Sequence, residues 1–73
     1  MMHRRYTVVI EKGPKSFGAY VPDLPGCVAA AKTRRAVMKL IREAMELHLE
    51  DFQMRGLPLP RATAVAESVE VAV

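Results

Sequence analysis

The sequence predicts one α+β domain of order β-β-β-α-β, a small antiparallel sheet crossed on one face by a single long helix. Three observations carry this. Two short β-branched and aromatic runs near the start are joined by a Gly-Pro turn. A helical period then runs from Thr33 to Gly56, and the final residues, Ser68 to Val73, return to strict alternation.

Arg5-Tyr6-Thr7-Val8-Val9-Ile10-Glu11 reads as the first strand, with Tyr6, Val8 and Ile10 on one face and Thr7, Val9 and Glu11 on the other. Lys12-Gly13-Pro14-Lys15 turns the chain into a second strand, Phe17 to Val21, antiparallel because the link is short. Gly18 weakens this strand or marks a bulge. In Val21-Pro22-Asp23-Leu24-Pro25-Gly26-Cys27, Val21 and Leu24 precede prolines and are pushed to extended backbone. Pro25-Gly26 suits the centre of a type II turn, proline presetting the first φ and glycine accepting a positive second one. Cys27 to Ala31 is the third strand.

Thr33 is the expected helix N-cap. Val37, Leu40, Ile41, Ala44, Met45, His48 and Phe52 recur at spacings of three and four, with Lys39, Arg42, Glu43, Glu46, Glu50 and Gln53 opposite. Gly56 closes the helix, and Leu57-Pro58-Leu59-Pro60 begins an extended connector over residues 57–66. A right-handed crossover through the helix places the last strand beside the first and parallel to it, giving the spatial order 3-2-1-4. One helix covers one face, so the face with Thr7, Val9 and Tyr20 is expected to meet a second subunit, at least as a homodimer.

Composition narrows the function. Seventy-three residues form a single domain over 1–73, and a chain this small buries only about 60% of its unfolded surface. One cysteine and two histidines exclude an internal disulfide and a zinc site, leaving oligomerisation as the remedy for small size. The apolar run behind the basic start is too short for a signal peptide or a membrane span, so the expected location is cytoplasmic. Residues 1–4 read as a frayed tail.

No catalytic constellation can be assembled. His3 falls in the tail, and His48 sits in the apolar helix stripe as a structural residue. Cys27, without a basic neighbour in sequence, reads as a small hydrophobe, and Asp23 as a support for its own turn. Neither paired carboxylates nor a phosphate-cradling loop is present. The chain is expected to be non-enzymatic and to need no metal or cofactor.

The helix charges run against the helix dipole. Lys32, Arg34, Arg35, Lys39 and Arg42 come first without an acid; Glu43, Glu46, Glu50 and Asp51 follow without a Lys or Arg among them. Two i, i+4 pairs, Lys39 with Glu43 and Arg42 with Glu46, account for part of the pattern. The remainder suits a surface for a charged partner.

The runs "YTVVIEK" and "FGAYVPDLPGCVAA", followed by the Thr-initiated helix "RRAVMKLIREAMELHLEDFQMRGLPLP", resemble the HicB-like antitoxin family from about Tyr6 to Pro60. The resemblance implies a truncated ribonuclease-H-like fold, in agreement with the patterned topology. It also implies neutralisation of a small RNA-cleaving toxin of HicA type by steric cover of its active surface. The family's C-terminal DNA-binding domain has no counterpart before Val73, so operator DNA binding is not expected. Where family helices begin with acids, this one begins Arg34-Arg35.

On this reading the partner is a small basic toxin, met by Asp23, Leu24, Glu43, Glu46, Glu50 and Asp51. The rival reading is a nucleic-acid binder using Arg4, Arg5, Lys32, Arg34, Arg35 and Lys39; against it, no aromatic is interleaved with these bases. A third reading is an orphan structural domain. No membrane association is expected.

Overall fold

A computed structural model describes residues 3–73; Met1 and Met2, half of the expected tail, lie outside the described residues. Strands β1 (Val9–Lys12), β2 (Phe17–Tyr20) and β3 (Val28–Ala31) precede helix α1 (Arg34–Met54). They form one antiparallel sheet in the order β1-β2-β3, with Ile10 opposite Ala19 and Ala19 opposite Ala29. The α+β class and the three-strand meander agree with expectation. Gly18 is paired to Glu11 and Ala30 without a break in register, so it marks no bulge.

The strands are shorter than their apolar runs because the opening heptapeptide folds as a closed loop. Leu24 N–H donates to Val21 O and Cys27 N–H to Leu24 O, both at 3.0 Å, and Val21 N–H donates to Cys27 O at 3.3 Å. The second turn is the expected Pro-Gly one, with Gly26 at φ 85°. Drawing Val21 into this loop ends β2 at Tyr20. Tyr20 pairs with Val9, so among the described residues β1 has no β2 partner before Val9.

Thr33 caps α1, its Oγ1 accepting the Ala36 N–H at 3.0 Å. At the other end Gly56 N–H donates to Gln53 O and Leu57 N–H to Phe52 O, the paired bonds of a Schellman cap, with Gly56 at φ 69°. Helix α1 lies across β3 and β2 and leaves β1 to one side. The core between helix and sheet holds Ala19, Val21, Leu24, Cys27, Val37 and Ile41, flanked by Val8, Ile10, Phe17, Met45 and Leu49. On the opposite face Val9, Tyr20 and Val28 line up in one cross-strand row; Tyr20 and Val28 are exposed. Leu40, expected on the buried stripe, is 44% exposed, and Leu49 packs against the core instead.

The expected fourth strand is not formed among the described residues. Residues 57–73 carry no helix or strand, and Val65, Val69, Val71 and Val73 are all exposed. The order 3-2-1-4 is therefore realised only as far as 3-2-1 within this chain. The reason lies in side chains holding residues 60–64, described next, after which the backbone leaves the body. The longest dimension is 48 Å, whereas a 21-residue helix spans about 32 Å.

Candidate functional site

Asp23 sits in the closed loop with its carboxylate turned to the connector. Its Oδ2 accepts the N–H groups of Thr63 at 3.0 Å and Ala64 at 2.9 Å, and its Oδ1 accepts the Thr63 hydroxyl at 2.9 Å. On the adjoining side Thr7 Oγ1 donates to Ala64 O at 2.9 Å, and Tyr6 Oη donates to Pro60 O. The Ala64 N–H holds the Asp23 carboxyl below its ordinary pKa, against an opposing desolvation second in size, with the Thr63 hydroxyl and N–H adding smaller lowering contributions. The connector is thus stapled to the start of the chain and to the loop by side chains rather than by a backbone ladder.

Just ahead of β1 an open groove of about 1500 Å³ runs between residues 3–8 and α1. It exists because α1 is displaced toward β3. Its apolar walls are Val8, Met38, Ile41, Met45 and Leu49. Arg4, Arg5, Arg35, Lys39 and Arg42 also line it, with Glu46 the one acid. A smaller recess continues from it, bringing Arg4 beside Glu46, Glu50 and Leu59.

These placements redraw the two charge sets. Glu43, Glu46 and Glu50 follow one another at three and four residues and form one stripe of α1. Asp51 is turned aside and pairs with Arg55 at 3.5 Å. The expected pairs Lys39–Glu43 and Arg42–Glu46 are not formed among the described residues, since exposed charges gain little from meeting. Of the basic set, Arg4, Arg5, Arg35 and Lys39 gather at the groove with Arg42, whereas Lys32 and Arg34 do not line it.

Leu24, expected as a contact residue, has no surface exposed in this chain. It is 0% exposed, a core side chain that the two flanking turns fold inward. Sequence reasoning missed Thr63, Ala64, Tyr6 and Thr7 as partners of the loop. Thr63, a polar residue shortly after the rigid Leu57-Pro58-Leu59-Pro60, was the available signal, but its reach to Asp23 spans 40 positions.

Cys27 is buried and desolvation pushes its thiol pKa up, which suits packing and disfavours a thiolate nucleophile. His48 is half-buried and stacks on Phe52 at a ring separation of 5.3 Å. Among the described residues no three His, Cys, Asp or Glu side chains are grouped to hold a metal ion, and no helix is long and apolar enough to cross a membrane.

The family model described as the HicB-like antitoxin of bacterial toxin-antitoxin systems matches residues 6–72. The chain belongs to the HicB-like antitoxin family. Relatives of this HicB-like chain include a UPF0150 protein of Helicobacter pylori, 37% identical over 88% of this chain and 90% of the relative. A UPF0150 protein of Thermoplasma acidophilum is 33% identical over 82% of this chain and 88% of its own length. Among solved structures, a chain of a HicA3 and HicB3 toxin-antitoxin complex is similar at a TM-score of 0.63 and 36% identity. That match covers 75% of this chain and 64% of the solved one.

Proposed function

We propose that this HicB-like chain is a non-enzymatic antitoxin that binds a small basic RNA-cleaving toxin of HicA type and covers its active surface. The observation that carries this is the likeness, at 36% identity, to a chain from a toxin-antitoxin complex. The chemistry supports it, since the Glu43, Glu46, Glu50 stripe offers acids to a basic partner without a metal or nucleophile. Asp23 acts from behind, holding the connector rather than touching the toxin. Such a protein would work in the cytoplasm, where its toxin meets RNA.

Coexpression with a HicA-type toxin tests the reading. Growth rescue and recovery of a stable complex are expected. A chain that neither rescues growth nor co-purifies with the toxin would refute it. The gathering of Arg4, Arg5, Arg35, Lys39 and Arg42 at one groove favours a second reading, nucleic-acid binding. Tight RNA binding lost on Arg35→Ala, with no toxin bound, would select that reading instead.

A further inference from the structure

Two unfinished features of the fold match each other. The first is the outer edge of β1, since in the order β1-β2-β3 its outer N–H and C=O groups have no strand beside them among the described residues. The groove borders the chain leading into that edge, residues 3–8, and is apolar along Val8, Met38, Ile41 and Met45 and lined by five basic side chains against one acid. The second is the segment 65–73, which alternates as a strand does, places Val69, Val71 and Val73 on one side, and pairs with no strand among the described residues. It carries Glu67 and Glu70 and no base, so its charge is opposite to that of the groove.

We propose that residues 65–73 of one copy add as a strand to the β1 edge of a second copy, so that two chains exchange their C-terminal segments reciprocally. The staple makes the exchange the natural outcome. Asp23 and Thr7 hold Ala64, and from that point the chain departs from its own groove with Val65 77% exposed. Pro58 and Pro60 stiffen the approach to the staple. A second copy presents the same edge and the same segment, so a two-fold arrangement satisfies both at once and closes the assembly. The valines enter the groove against Val8 and Met45, Glu67 shares their side toward the bases, and the sheet gains its fourth strand parallel to β1. The order 3-2-1-4 is then completed across two chains. This inference is independent of the toxin reading, since it concerns the chain alone.

The test uses the full-length protein. Sedimentation of the purified chain at about 100 μM is expected to show a dimer. Val71→Pro removes one ladder donor from an exposed, unpaired segment, so each subunit keeps its helix content while the dimer weakens at least tenfold. Refolding a Lys12→Cys chain together with a Val69→Cys or Val71→Cys chain is expected to give a disulfide between copies, because Lys12 and the valines then lie on one side of the joined sheet; Cys27 is buried and does not compete. A folded monomer at that concentration overturns the proposal. So does a dimer indifferent to Val71→Pro, which would place the interface on the Val9, Tyr20 and Val28 row. A disulfide that forms only within one chain when both cysteines are present would show the segment pairing with its own β1.

Discussion

Asp23 and Thr63, 40 positions apart, meet in a double contact in which the carboxylate accepts both the hydroxyl and the backbone N–H of the threonine. With the Ala64 N–H added, this carboxylate is the main polar link between the loop and the connector. Because the folded-state pKa is depressed, its contribution is fully present above the unfolded carboxylate value and is lost as pH falls through the folded one. Hydrogen exchange at the Thr63 and Ala64 amides is therefore expected to lose protection below about pH 4, beyond the general slowing of exchange in acid. Asp23→Ala should remove the same protection at pH 7 while the amides of α1 stay protected. Protection unchanged by either perturbation would show that the connector is held by something else.

Leu24 tests whether the heptapeptide is structural. The side chain is fully buried against Val37 and Ile41 in the core cluster, so Leu24→Ala should cost about 2–5 kcal/mol. Thermal or urea unfolding measures this directly. A loss below about 0.5 kcal/mol, the scale of surface substitutions, would mean that Leu24 does not pack as described.

Gly26 meets no atom within 4 Å at its Cβ position, yet its φ of 85° is unfavourable for an L side chain. Gly26→Ala is thus expected to destabilise by about 1–2 kcal/mol through backbone conformation rather than collision. Replacing Gly26 by a D-alanine in a synthetic chain should restore most of the stability. Equal losses for both enantiomers would point to a clash instead.

On the toxin reading, Glu46→Lys with Glu50→Lys should slow association with a HicA-type toxin by on the order of tenfold at low salt, and by less as salt rises. Circular dichroism should show the helix intact, since both side chains are exposed. Unchanged association rates would move the toxin contact away from this stripe.

The elements were legible because their signals are local. Thr33 as N-cap, Gly56 as C′ and Pro25-Gly26 as a type II turn each follow from a few neighbouring residues, and each is formed. The buried stripe was legible apart from Leu40. Helical period identifies a face, but the width actually buried depends on the helix lying over β3 and β2.

What sequence alone determined, then, is the α+β class, the meander, the capped helix, the family and the separation of acids from bases along α1. What only the tertiary structure decided is where those charges meet and where the last segment goes. Leu24 turned inward and Asp23 turned to the connector are opposite fates for adjacent residues of one loop, set by which side chain fits the core and which finds N–H donors 40 positions on. Alternation from Ser68 to Val73 is the pattern of a strand, yet these residues form none among the described residues. A strand's stability comes from the edge beside it, and that edge is a property of the folded surface, which no local pattern encodes.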